Sequence, residues 1–521
     1  MSENSRGHPE EPVFECNSYV ANVSNVFPGG FDILSMYSPE TILNIVKYPM
    51  ENATELREIS RALYSSNGVV TNAVDYCVAL PTLSRVVIPY GKTQSTKNRY
   101  KEKTYAVLDA IRDREFVRNG IFNTLIEGEY FAYMETKKRP LSKATSMNDS
   151  EVQFIKEINE TDYNVDIVHL DPDYTRVIGI KNGSYVIAFD LNYFTMGDME
   201  PVENKLRKYP EEIRKGYEKY KSGKGGQWLV LDNNHTIAVK FRAKKNEPHG
   251  RPMILAAIDD ILYNSRYTRA KRKALEDSNT RIYYQTFPEG KNKGEAALTK
   301  AQQEQQHETV RNGLTANSAR GSTTVFSVAA GTKIDALKPD IAILSDNNDT
   351  TLKNNIATSL GFAGSLLSGE GTSSFSAQTN NLELVTAEVF HIIELITYEL
   401  NKCINACIIK NKSYRTEVQY LPITYTNRKE FASMAKELYL QGKGPLSLWA
   451  SAVGISPEAF YSMLDEELAA DIENKYPVHK TSYTQSADDE VGRPVDEDTT
   501  NESTMYARAN NTNDMPKPSA G

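Results

Sequence analysis

Between Asn381 and Ile409, the apolar residues Leu382, Val385, Val389, Ile392, Ile393, Ile396, Leu400 and Ile404 recur every three or four positions. That period places them on one stripe of an α-helix about 40 Å long. Glu394, Glu399 and Lys402 interrupt the run, so it is not a membrane span, which needs roughly 18 or more consecutive uncharged apolar residues. A helix this long with one apolar stripe must lie along a partner surface of similar length. The chain has two more candidates for that packing. Ile254, Leu255, Ile258, Ile261 and Leu262 begin a helix expected over Ile254–Leu275, about 33 Å long, with a basic C-terminal half. Leu352 and Ile356 mark a weaker helix from Asp346 to Leu360.

Two breaks separate these helices. After the first comes an insert, expected as a strand at Arg281–Phe287, a helix near Ala297–Leu314 and a strand at Thr323–Val328. After the second comes "LLSGEGTSSFSAQTNN", Leu366–Asn381, whose Gly, Ser and Thr are poor helix formers. The preceding half of the chain is mixed. Helices are expected at Ser38–Thr41 onward, Thr54–Tyr64, Val69–Ala79, Lys101–Leu125 and Pro201–Lys221, with strands at Ser84–Tyr90 and Gly128–Thr136. Val165–Phe194 is rich in β-branched and aromatic runs around an Asn182-Gly183 hairpin signal. A second hairpin is expected around Asn233-Asn234. Three short helices follow the long one: Asn427–Tyr439 with an Asn427/Glu430 capping box, Leu446–Val453 and Pro457–Asn474 capped by Ser456. Residues 1–37 read as an irregular arm, and 477–521 as a disordered acidic and polar tail. The expected class is α+β, predominantly α-helical.

The 521 residues are 40% hydrophobic and 25% charged, as in globular proteins. The polar start lacks the apolar core of a signal peptide. Cys16, Cys77, Cys403 and Cys407 form no CxxC pair, and Cys403 and Cys407 share a helical face as small core residues. A reduced, intracellular site of synthesis is expected, with no metal and no cofactor. The formal net charge of −8 argues against a general nucleic-acid binder, which gains affinity by neutralising phosphates.

No catalytic motif is complete. The loop offers Ser368, Gly369, Glu370, Gly371, Thr372, Ser373, Ser374, Phe375 and Ser376, but no lysine follows its glycines as a phosphate-binding loop requires, and Glu370 repels phosphate. Asp166, His169, Asp171 and Asp173 raise the alternative of a metal-dependent nuclease. Yet alternate strand residues face opposite sides, and Pro172 between aspartates is ordinary turn chemistry. HExxH and GxSxG are absent. Arg266, Arg269 and Lys273 share one face of the first long helix, with Lys271 and Arg272 beside them. They serve either the macrodipole at the helix C-terminus, or DNA or a neighbouring subunit's carboxylates.

The order helix, insert, helix, small-residue loop, long helix resembles the tailed-bacteriophage portal protein, the head–tail connector ring of the capsid vertex. "ALYSSNGVVTNAVDYCVALPTLSRVVIP" (Ala62–Pro89) is similar to the portal entry helices, and "GRPMILAAIDDILYNSRYTRAKRKALED" (Gly250–Asp277) to the first stem helix. "SLGFAGSLLSGEGTSSFSAQTNNLELVTAEVF" (Ser359–Phe390) resembles the end of the second stem helix, the tunnel loop and the long wing helix. "LSLWASAVGISPEAFYSMLDEE" (Leu446–Glu467) resembles the end of the folded region. The resemblance implies a wing over 38–250 with a long wing helix and return strand over 379–425. It implies stem helices at 251–277 and 340–366, a clip at 278–339, a tunnel loop at 367–378 and a crown at 426–476. It further implies a homo-oligomeric, typically dodecameric ring in the virion, made in the host bacterial cytoplasm. Double-stranded DNA would pass weakly through its channel during packaging and ejection. The implied partners are terminase, the major capsid protein and scaffold, and a head–tail adaptor, with no membrane and no enzymatic activity. Another capsid or tail component is the remaining structural alternative.

Overall fold

Long amphipathic helices beside short β runs should bury their stripes on one another, with small sheets as local covers. A computed structural model describes residues 37–136, 165–196, 202–279, 282–291, 296–317, 328–337, 346–368 and 375–476. The described residues up to Pro457 form one compact unit, and those from Glu458 onward a second.

Ser38 opens α1 (Pro39–Lys47), its hydroxyl accepting from the Thr41 amide at 3.2 Å, with proline in the first turn. Asn67 alone separates α2 (Ala53–Ser66) from α3 (Gly68–Ala79), and its side chain accepts from the Val69 and Val70 amides. After β1 (Arg85–Tyr90), the single helix expected over Lys101–Leu125 is two: α4 (Gln94–Ala110) and α5 (Asp113–Glu127). They meet at Arg112, in the left-handed region at φ 48°. The bend lets α4 bury Tyr105 and Leu108 while α5 buries Phe116, Val117 and Ile121. A left-handed residue costs about 1–2 kcal/mol, comparable to the gain from burying one such side chain.

Next come β2 (Glu129–Glu135), β3 (Asp166–Leu170), β4 (Thr175–Lys181) and β5 (Ser184–Asp190). The β4–β5 hairpin turns on Asn182 and Gly183, both at positive φ as a type I′ turn requires. α6 (Val202–Arg207) and α7 (Glu211–Lys221) precede β6 (Trp228–Val230) and β7 (Thr236–Lys240). The hairpin expected around Asn233-Asn234 does not form. β6 pairs with β5, whereas β7 pairs with β2, so the connection steps from one sheet to another. Each strand thereby gains a neighbour outside its own connection.

The sheet β3–β2–β7 is a partition. Alternate residues of a strand face opposite sides, and Tyr130, Ala132 and Met134 of β2 enter one core while Phe131 and Tyr133 enter another. The second core lies with β5, α7 and their neighbours and is dense in aromatic rings, among them Phe189, Phe194, Tyr209 and Tyr217.

Then α8 (Ile258–Asn279) is followed by β8 (Ile282–Thr286), α9 (Lys300–Asn317), β9 (Lys333–Leu337) and α10 (Asp346–Ser359). β8 pairs with β9, not with the strand expected at Thr323–Val328, whose first five residues lie outside the described ones. The short α11 (Gly364–Ser368) leads to α12 (Phe375–Cys403), which buries Val385, Val389, Ile392, Ile393, Ile396 and Leu400 as its periodicity predicts. α12 widens into a π turn at Ile404–Ile409, closed by Lys410 at φ 57°. Gly120 permits the close approach of α5, since a Cβ there would lie 2.7 Å from Ile396 Cδ1.

β10 (Arg415–Tyr420) returns antiparallel to β1, with Arg85 opposite Tyr420 and Tyr90 opposite Arg415. α13 (Arg428–Leu440) and α14 (Leu446–Val453) make a satellite core with Leu421 and Ile423. Asn427 accepts from the Thr424 amide at 2.8 Å instead of capping α13, so the expected capping box is not made. The second unit holds α15 (Pro457–Ala469) from Glu458 onward and α16 (Ile472–Lys475), with Asp471 at φ 54° where one helix was expected. Residues 1–36, including Cys16, and 477–521 lie outside the described residues.

Candidate functional site

Pro252 and a 3-10 turn over Met253–Ala257 start the helical run that becomes α8. Its base is buried: Ile254, Ile258, Ile261 and Leu262 belong to the main core. Leu352 and Ile356 of α10, with Leu360 and Phe362 just beyond it, are buried as well. Asp260 near the start of α8 bonds Ser359 at the end of α10. Lys271, three turns on, meets Asp349 at the start of α10, at 2.5 Å. Those two links define an antiparallel helix pair whose far end carries β8, α9 and β9 and whose base sits in the body. Thr332, in the turn before β9, accepts from Gln306 of α9 at 3.1 Å, which ties the glutamine-rich helix to the sheet.

Arg266, Arg269, Arg272 and Lys273 are exposed along α8. They precede the helix's last turn, which contains no basic residue. The macrodipole acts within the terminal turn, so it does not account for them.

The small-residue break is shorter than the sequence suggests. α11 ends at Ser368, and α12 begins at Phe375, so Phe375 and Ser376 form the first turn of the long helix. Gly369, Glu370, Gly371, Thr372, Ser373 and Ser374 lie outside the described residues. The long helix was expected to start at Asn381. Extending an existing helix by one turn costs only a few tenths of a kcal/mol per Ser, Thr or Asn. Asn381 instead braces the preceding turn: it accepts from the Ala363 amide at 2.8 Å and donates to the Gly361 carbonyl at 3.0 Å.

Asp171 and Asp173, two of the three aspartates considered for a nuclease, are occupied otherwise. Asp171 accepts from the Asp173 amide at 2.8 Å and caps the 3-10 turn Pro172–Tyr174. His169 Nδ1 lies 2.8 Å from the Tyr130 hydroxyl. Burial would push the Asp173 carboxyl up, yet Arg57 and Arg61 hold it below the usual carboxylate range. Arg57 also donates to Glu129 at 2.9 Å, and Arg61 grips both oxygens of Glu127 at 2.8 Å. His249 lies 3.1 Å from Glu129, and the Gly250 amide donates to it at 3.2 Å. The site is a buried ion-pair network joining α2, β2, the β3–β4 turn and the segment leading to α8. Sequence reading missed Arg57, Arg61 and Glu129; the signal was a cation, Arg57, beside Leu56 on a helix whose other apolar residues are buried.

Among the described residues, no group of three or more His, Cys, Asp or Glu could hold a metal ion, and no helix is long and apolar enough to cross a membrane. Cys77, Cys403 and Cys407 are buried thiols; burial pushes Cys77 up to about 12 and Cys407 up to about 11. At neutral pH they are protonated packing groups and not nucleophiles.

No protein-family model matches the chain. The chain is similar, at 22% identity over 508 residues, to the SPbeta prophage-derived uncharacterized protein YonE of Bacillus subtilis (strain 168), covering 95% of this chain and 94% of that protein. Similar solved structures include the neck of a native gene transfer agent particle with C12 symmetry, at TM-score 0.42 and 13% identity, covering 81% of this chain and 95% of that one. They also include a HK97 family phage portal protein from Corynebacterium diphtheriae, at TM-score 0.30 and 10% identity, covering 68% of this chain and 93% of that one.

Proposed function

We propose that this chain is a portal protein: a non-enzymatic ring subunit at a phage-like capsid vertex, through which double-stranded DNA passes during packaging and ejection. The observation that carries the reading is the antiparallel pair of α8 and α10. It leaves the body at Pro252, carries the β8–β9 insert at its far end, and returns at Phe362 to α11, residues 369–374 and α12. In this reading the pair is the stem, the insert is the clip, and residues 369–374 with Ser368, Phe375 and Ser376 are the tunnel loop. The body is the wing, and α13 and α14 belong to the crown.

A conduit must not hold its cargo. Six to ten phosphate contacts per protein already give affinity that falls about 10³–10⁵-fold between 50 and 200 mM salt. A net charge of −8, Glu370 in the loop, and cations confined to short stretches such as Arg266–Lys273 suit passage without capture. Terminase and a head–tail adaptor would dock on the clip, and major capsid protein and scaffold on the wing. The ring would be dodecameric.

Deleting residues 370–373 tests the conduit. Rings should still assemble, because the deletion leaves the buried residues Ile254, Ile258, Ile356, Val389 and Ile393 in place, while DNA packaged per particle falls by at least tenfold. Normal packaging by the shortened protein would remove the loop from the channel.

A further inference from the structure

A strongly basic surface of this acidic chain lies apart from the proposed stem and loop. Tyr90–Lys103 holds Lys92, Lys97, Arg99, Lys101 and Lys103 against a single carboxylate, Glu102. Lys410–Arg415 holds Lys410, Lys412 and Arg415 and no carboxylate. Eight cations to one anion give a local net charge of +7, in a chain of net −8.

The fold brings these stretches together. Lys103 Nζ donates to the Ile408 carbonyl at 3.3 Å, from 305 positions away. The Tyr100 and Tyr414 rings lie 5.5 Å apart, and the Tyr414 ring covers Gly91 beside Lys92, where a Cβ would lie 2.1 Å from Tyr414 Cδ1. The Arg415 guanidinium sits 4.3 Å over the Tyr90 ring, and Tyr90 pairs with Arg415 in the β1–β10 register. Lys92, Arg99, Lys410, Lys412 and Arg415 are exposed, and none of them forms an ion pair among the described residues. The start of α4 adds to the field. Thr93 makes no side-chain cap bond and the first turn has no acidic residue, so the helix presents unscreened N–H groups there.

Crowding like charge this way costs stability. We infer that this patch, formed by the N-terminal half of α4 and the Lys410–Arg415 turn, binds the phosphate backbone of double-stranded DNA without reading its sequence. Duplex DNA presents a negative charge every ~1.7 Å, a density that matches such a patch. The partner's identity rests on the portal reading, in which the ring handles double-stranded DNA; the patch itself does not. The contact uses neither Arg266–Lys273 nor residues 368–376, so in this proposal its grip does not act through the stem or the loop.

The test is fluorescence anisotropy of a labelled duplex of arbitrary sequence with full-length assembled protein, across about 50–200 mM salt. Engagement of four or five cations predicts a slope of log affinity on log salt near −4, at about −0.9 per phosphate. The variant K92E/R99E/K412E/R415E should weaken binding at least tenfold and flatten the slope, and the neutral K92Q/R99Q/K412Q should weaken it less. R266E/R269E/R272E/K273E should leave most of the affinity in place. Wild-type affinity in the patch variants, or an equal loss in the stem variant, overturns the inference. So does loss of ring assembly with DNA affinity intact, which makes the partner a second copy of the chain. Failure of the portal reading is distinct: it shows as protein that never forms rings.

Discussion

Replacing Arg57 by alanine should destabilise the body by about 3–5 kcal/mol, because it strands buried charge. Arg57 is 2% exposed and Glu129 fully buried, and the guanidinium also bonds Asp173 at 2.8 Å. Removing it leaves Glu129 with His249 and the Gly250 amide, and Asp173 with Arg61 alone. The pH dependence identifies the cause. In the wild type the Asp173 carboxyl is held low, so its contribution is present above the unfolded value of about 3.9 and is lost as pH falls through the folded value. Without Arg57, only Arg61 opposes the desolvation of Asp173, so its carboxyl rises from its depressed position and protonation relieves the buried charge as the pH drops. Urea denaturation should therefore show the full deficit at neutral pH and a smaller one near pH 4.5, just above the ordinary carboxylate range of about 3.9–4.3. Equal deficits at both pH values would assign the loss to packing and not to charge.

Gly250→Ala should cost about 3 kcal/mol by overpacking the same junction. A Cβ at Gly250 would lie 1.7 Å from the Gly128 carbonyl oxygen and 2.6 Å from its carbon, backbone atoms that no rotamer change can move. The Gly128 carbonyl already accepts from the Phe241 amide at 2.8 Å, and the Arg251 amide donates to the Phe241 carbonyl at 2.9 Å. The chain must shift just before it enters α8, and the Gly250–Glu129 bond stretches with it. Gly226→Ala is the control, having open space around its Cβ and no positive φ, and should be near neutral. Because Arg57 and Gly250 both act on Glu129, the double variant should lose about 1 kcal/mol less than the sum of the singles. Strict additivity would mean that the two sites are independent.

The helical frame was legible because its signal is local. Val385 to Leu400 repeat on one stripe, and Ile258 to Leu262 begin α8 within a few residues of the observed start. What escaped depends on partners far along the chain. β7 could not be separated from β6 without knowing that β2 offered a second edge. Arg57 looks like a surface charge until partners 72 and 116 positions away are placed beside it. The basic patch is invisible as two ordinary runs until β1 and β10 pair. The loop boundary moved for an energetic reason: a polar first turn on a long helix costs little, so low propensity at Ser376 to Asn380 did not stop α12.

Native mass spectrometry of the purified protein, with negative-stain images of the same sample, addresses the ring directly. The account predicts a closed oligomer, dodecameric by preference, whose images show a central channel wide enough for duplex DNA. A stable monomer at high protein concentration, with no rings in the images, would contradict it.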